Sequence, residues 1–124
     1  MQDGKHVILC VDDDQDVLEF LTTVLEAADY KVVTAPTGEE GLKVYKDSNP
    51  DLIIVDLMME EVDAGTSFVK EIHAQGCTVP IYMLSSMGDD LNQITDYSAL
   101  GLAGVLQKPL ESKKLLSLLE SKLK

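Results

Sequence analysis

The 124-residue chain has no arginine and no tryptophan, only two cysteines and four prolines, and no long apolar run. Each scarcity excludes something. All ten basic residues are lysines, set against 22 acids, which leaves a net charge of −12. So acidic a chain has no basic patch with which to displace counterions from nucleic-acid phosphates. An anionic membrane surface would repel it as well. Cys10 and Cys77 are far apart and belong to no CxxC pair, so neither a zinc ribbon nor a dithiol redox motif is present. Cys10 sits inside an apolar run, where a thiol acts as a small core hydrophobe. The expectation is free thiols in a reduced, cytoplasmic setting. No stretch of about 18 apolar residues could span a bilayer. Met1–His6 leads into a short apolar run cut off by three aspartates, which is not the build of a signal peptide. Eight glycines and four prolines are too few for a disordered or collagen-like chain.

What remains is globular in character: 45% apolar and 26% charged residues, with mean hydropathy +0.04. A chain of this size buries roughly two thirds of its unfolded surface and needs no staple. One domain over 1–124 is expected, with its core at about 6–122 and no output domain in the chain.

Short apolar runs alternate with amphipathic stretches. Val7–Val11 is continuous and β-rich, as a strand buried on both faces should be. After Asp12-Asp13-Asp14, the residues Val17, Leu18, Phe20, Leu21, Val24, Leu25 and Ala28 recur at helical spacing. Asp14 and Asp16 read as the cap and first-turn charges of that helix. A strand over Lys31–Ala35 and a helix over Gly38–Lys46 follow, and Asn49-Pro50 breaks the chain. Next come a strand at Leu52–Val55, a helix near Thr66–Ala74 and a strand at Pro80–Leu84. A helix at about 89–100, a strand at Val105–Gln107 and a closing helix at Ser112–Lys122 complete the pattern. Five strands and five helices in alternation predict an α/β fold, a doubly wound parallel sheet with helices on both faces.

In such sheets ligands bind beyond the carboxyl ends of the strands, near the switch in strand order. Strand one ends in Asp12-Asp13 and strand three in Asp56. Strand four ends in Ser85-Ser86 and strand five in Lys108-Pro109. Two like charges about 4 Å apart cost on the order of 4 kcal/mol at an effective dielectric of about 20. Lys108 alone cannot offset three carboxylates, so either a raised pKa or a divalent cation is called for. An all-oxygen site with room for water suits Mg²⁺ better than zinc. An aspartate beside a metal, a hydroxyl and a lysine is what a phosphoryl acceptor requires.

The stretches ILCVDDD (8–14), PDLIIVDLMM (50–59) and PIYMLSS (80–86), with Gly101 and Gln107-Lys108-Pro109, resemble the receiver domain of two-component response regulators. The resemblance runs from Val7 to Leu119. It implies the CheY-like, flavodoxin-type (βα)5 sheet of order 2-1-3-4-5, with Asp56 as phosphoacceptor. It further implies Mg²⁺ held by Asp12, Asp13, Asp56 and the backbone carbonyl of Met58. Ser85 would be the switch hydroxyl and Lys108 the counter-charge, with the Lys108-Pro109 bond cis. The implied donor is a sensor histidine kinase or a histidine phosphotransfer protein, docking over the rim by the first helix. An unidentified downstream protein would read the face formed by the fourth helix, fifth strand and fifth helix. Such a domain is not an enzyme toward outside substrates, and works as a monomer or weak dimer. Three positions depart from the pattern. Val105 stands where receivers carry an aromatic reporter, Glu60 where they carry proline, and the glycine opening the third helix comes late, at Gly65.

Rival readings fail on particular residues. Asp12, Asp14 and Asp16 have the spacing of calcium ligands, but Val17 and Thr23 occupy the places of the required glycine and glutamate. A flavin phosphate would be repelled by three aspartates after strand one. An aspartyl phosphatase would carry a second aspartate where Met58 stands. The alternative that stays open is a protein-interaction module on the same fold that signals without phosphorylation. The resemblance also implies that Met58 and Met87, two residues beyond the phosphoacceptor and the switch hydroxyl, flank the path of the hydrolytic water, and neither offers an acid or amide to orient it. The acyl phosphate is therefore expected to persist; a lifetime of seconds in Mg²⁺, followed by loss of the phosphoryl mass, would contradict this.

Overall fold

The computed structural model describes residues 5–56, 64–76, 79–85, 104–107 and 111–123. Within them the order is β1 (Val7–Val11), α1 (Gln15–Ala27), β2 (Lys31–Ala35), α2 (Gly38–Ser48), β3 (Leu52–Asp56), α3 (Ala64–Ala74), β4 (Ile81–Ser85), β5 (Gly104–Gln107) and α4 (Ser112–Leu123). The five strands form one sheet in the order β2-β1-β3-β4-β5, and every pairing is parallel. This is the doubly wound arrangement expected from the alternation of apolar runs. The helix expected at about 89–100 lies outside the described residues.

The central strands are apolar on both sides because both sides are covered. Leu9, Val11, Ile53, Val55, Ile81 and Met83 face α3, through Val69 and Ile72, and the partly buried Leu42 and Tyr45 of α2. The alternate residues Ile8, Cys10, Leu52, Ile54, Tyr82 and Leu84 face Leu18, Leu21 and Leu25 of α1, together with Leu115 and Leu119 of α4. The period of two along each strand sorts residues into these two cores. Cys10 is a buried free thiol. Burial first, and the negative charge of Asp12 second, push its pKa from 9.0 up to about 12.

Helix ends follow local chemistry. The Asp14 carboxylate accepts from Asp16 N at 2.9 Å and caps α1, as Asp14 and Asp16 were expected to do. Thr37 caps α2 by accepting from Glu40 N at 3.1 Å. α2 runs two residues beyond Lys46, to Ser48, where the Ser48 hydroxyl donates to Val44 O at 2.6 Å. Asn49 then stops it in the left-handed region at φ 51°, a conformation asparagine tolerates better than most residues.

Two expectations are corrected. Phe20 does not join the buried face of α1; it is 37% exposed, because at 3.6 residues per turn it projects well away from Leu18, Leu21 and Leu25. α3 begins at Ala64, not Thr66, and takes Gly65 into its first turn. Glycine is a poor helix former, but the packing of Val69 and Ile72 governs this helix and a first-turn position loses little.

Asp51 ties the start of β3 to β1. Its carboxylate accepts from Val7 N at 2.8 Å, and its own N–H donates to Val7 O at 2.7 Å. Replacing it, Asp51→Ala, orphans the Val7 N–H and should destabilise the fold by about 1–3 kcal/mol, read as a lower urea midpoint at unchanged slope. A change under a few tenths of a kcal/mol would show that water replaces the carboxylate.

Candidate functional site

The carboxyl edge of the sheet is assembled by register. Val11 pairs with Val55, so the next residues, Asp12 and Asp56, leave the two central strands side by side. Asp56 pairs with Leu84 and is the last residue of β3. Asp12 is fully buried and Asp56 is 4% exposed, while Asp13 is exposed. Asp12 N donates to Ala35 O at 3.1 Å, and Asp12 Oδ1 accepts from Asp14 N at 2.8 Å. These bonds hold the turn that brings Asp13 back over the sheet end. One carboxylate oxygen from each of Asp12, Asp13 and Asp56 lies within 4.8 Å of the other two.

Ser85 is the last residue of β4 and pairs with Gln107 of β5, which puts its backbone one position beyond the level of Asp56. Lys108, Met58 and the Lys108-Pro109 bond lie outside the described residues, as do Met87 and Glu60. Val105 pairs with Met83. The structure thus brings Asp12, Asp13 and Asp56 together and places the Ser85 backbone on the same edge.

The donor set is chemically uniform. Three carboxylates offer hard oxygen ligands, and the neighbouring Cys10 thiol is buried and held protonated. Such a set fits a hard divalent cation and not a soft one. Like charges about 4.8 Å apart repel by between about 0.9 and 3.5 kcal/mol, as the effective dielectric falls from about 80 to 20.

The sequence profile of the response regulator receiver domain matches residues 8–120. The chain belongs to that family. The receiver is 36% identical to the "Probable transcriptional regulator ycf27" of Cyanophora paradoxa over 93% of its length and 47% of the relative's. It is 33% identical to the "Alkaline phosphatase synthesis transcriptional regulatory protein PhoP" of Bacillus subtilis, over 86% of the chain and 44% of that protein. The chain therefore spans just under half the length of these curated relatives. Among solved structures, the chemotaxis protein CheY4 of Vibrio cholerae superimposes with a TM-score of 0.87 at 31% identity, covering 97% of this receiver and all of that chain. A putative response regulator from Chloroflexus aurantiacus gives 0.84 at 34% identity, over 97% of this chain and 98% of that one. Among the described residues no helix is long and apolar enough to cross a membrane.

In metal-free protein the clustered charge should weaken the fold. Asp13→Asn is expected to stabilise it by about 1 kcal/mol, seen as a raised Tm. Mg²⁺ should then raise the Tm of the wild type more than that of the variant. An unchanged or lower metal-free Tm for Asp13→Asn would show that the three carboxylates do not repel appreciably.

Proposed function

We propose that this receiver accepts a phosphoryl group on Asp56 in a two-component phosphorelay. The observation that carries the proposal is the convergence of Asp12, Asp13 and Asp56 at the carboxyl end of β1 and β3. Asp12, Asp13 and Asp56, with the backbone carbonyl of Met58, would hold Mg²⁺. When bound, the cation neutralises part of the charge on the transferring phosphoryl oxygens.

The residues of the chain divide the rest of the work. An Asp56 carboxylate oxygen attacks phosphorus in line as the P–N bond to a donor histidine breaks, and the imidazole leaves with the bond pair. Burial of Asp56 keeps bulk water from the reacting carboxylate and fixes its direction of attack. Asp12, tied by its backbone to Ala35 and by its side chain to Asp14 N, cannot swing away from the rim. The Ser85 hydroxyl and the Lys108 ammonium would bond the new phosphoryl oxygens and draw the ends of β4 and β5 toward Asp56. Phosphorylation adds nearly two negative charges there and biases an existing equilibrium between two arrangements.

The donor would be a sensor histidine kinase or a histidine phosphotransfer protein, and the setting cytoplasmic. The domain's only catalysis would be of its own phosphorylation and slow dephosphorylation. Its output would pass through the face that includes β5 and α4 to a downstream protein.

Intact-mass spectrometry after incubation with acetyl phosphate tests the reading. A Mg²⁺-dependent gain of one phosphoryl group, absent in Asp56→Asn, is the expected result. No adduct from acetyl phosphate or from histidine kinases, with no beryllofluoride binding, would overturn it in favour of a phosphorylation-independent interaction module.

A further inference from the structure

Tyr82 puts a phenol hydroxyl into a core otherwise built of leucine, isoleucine and Cys10, the one covered by α1 and α4. It stands within β4 and is 3% exposed. Among the described residues its hydroxyl has no hydrogen-bond partner. A hydroxyl buried in that way opposes the arrangement that buries it, whereas phenylalanine would fill the same core without the polar atom.

The two sides of Tyr82 differ. Ile54 of β3 pairs with it on one side and Gly104 of β5 on the other. Residues directly opposite one another share a face of the sheet, so both flank the tyrosine on the face covered by α1 and α4. Ile54 is branched and fully buried, and closes the inner side. Gly104 has no side chain, and β5 is the outermost strand of the sheet. At the level of Tyr82, then, β5 presents no side chain to hold the ring back from the sheet margin. Outward movement across Gly104 carries the hydroxyl toward that margin, where water and edge backbone can bond it.

The strand that holds Tyr82 also ends at the carboxylate rim. Leu84, two residues on, pairs with Asp56, and Ser85 is the last residue of β4. A pull on Ser85 toward a phosphoryl group on Asp56 acts on the same short strand, three residues from the tyrosine.

We propose that Tyr82 is a two-position lever in β4. In the resting receiver it is buried with its hydroxyl unbonded; when Asp56 carries a phosphoryl group it is displaced outward over Gly104 and its hydroxyl is hydrated. The hydroxyl raises the free energy of the resting arrangement and thereby favours the phosphorylated one. Its outward position changes the surface beside β5. The lever rests on the function proposed above and adds to it a group that sets the balance between the two arrangements.

The test is a titration of the full chain, saturated with Mg²⁺, with beryllofluoride as phosphoryl mimic, for wild type and Tyr82→Phe. Deleting the hydroxyl should raise the Tm of the free protein and weaken beryllofluoride binding by about five-fold or more. A hydroxyl with a structural role alone would shift the free and bound states alike and leave the affinity unchanged. In protein labelled with 3-fluorotyrosine, the ¹⁹F resonance that Tyr82→Phe removes should gain a solvent isotope shift when beryllofluoride binds. Unchanged affinity, a lower Tm for the free variant, or a Tyr82 resonance that stays shielded from solvent would overturn the lever. Acetyl phosphate loading of the same proteins, read by intact mass, separates the two readings. Loading of Asp56 with Tyr82 unmoved removes only the lever. Absence of both loading and beryllofluoride binding removes the proposed function, and the lever with it.

Discussion

The pairing of β1 with β3 is the contact on which the rest depends. Its register, Ile8 with Leu52 through Val11 with Val55, brings two strands that are apolar on both faces to the centre of the sheet. It also delivers Asp12 and Asp56 to the same level at the moment the apolar run ends. A slip of one residue would turn every core side chain to the opposite face and separate the two carboxylates. Asp51, bonded twice to Val7, holds that register from the other end of the strands. The core and the site are consequences of one alignment.

The chain carries a tension between stability and function at this edge. Burying Asp12 and Asp56 and gathering them with Asp13 opposes folding, since charges taken out of water and set beside their like are unfavourable. The sheet tolerates this because the strands beneath are wholly buried and contribute the bulk of the hydrophobic stabilisation. Under the proposed function the same arrangement would make the rim responsive, because a cation or a phosphoryl group would change the balance of charge where several strand ends meet.

α1 connects the rim to the surface. Its first residues follow the cluster, its buried leucines anchor it on the sheet, and its two flanks differ in chemistry. Val17 and Val24 pack partly against the core shared with α4, with Phe20 exposed beyond them. The β2 flank carries hydroxyls, an amide and acids.

Much of this was legible in the sequence, for physical reasons that can be named. Continuous apolar runs such as Val7–Val11 and Leu52–Val55 belong to strands covered on both sides, and polar residues directly after them mark the carboxyl edge. Those two facts were enough to single out Asp12, Asp13 and Asp56 and the parallel sheet. Asp14 as a cap and Asn49-Pro50 as a stop are local chemistry and were equally readable. The sequence did not reveal that Phe20 lies outside the buried face, because periodicity counts apolar residues without knowing how wide the contact is. It misplaced the start of α3 because propensity penalises Gly65, whereas the packing of Val69 and Ile72 governs the helix. The closeness of the three carboxylates and the burial of the Tyr82 hydroxyl belong to tertiary structure alone. They depend on residues distant in the chain meeting in one register, and a one-dimensional pattern carries no measure of that distance.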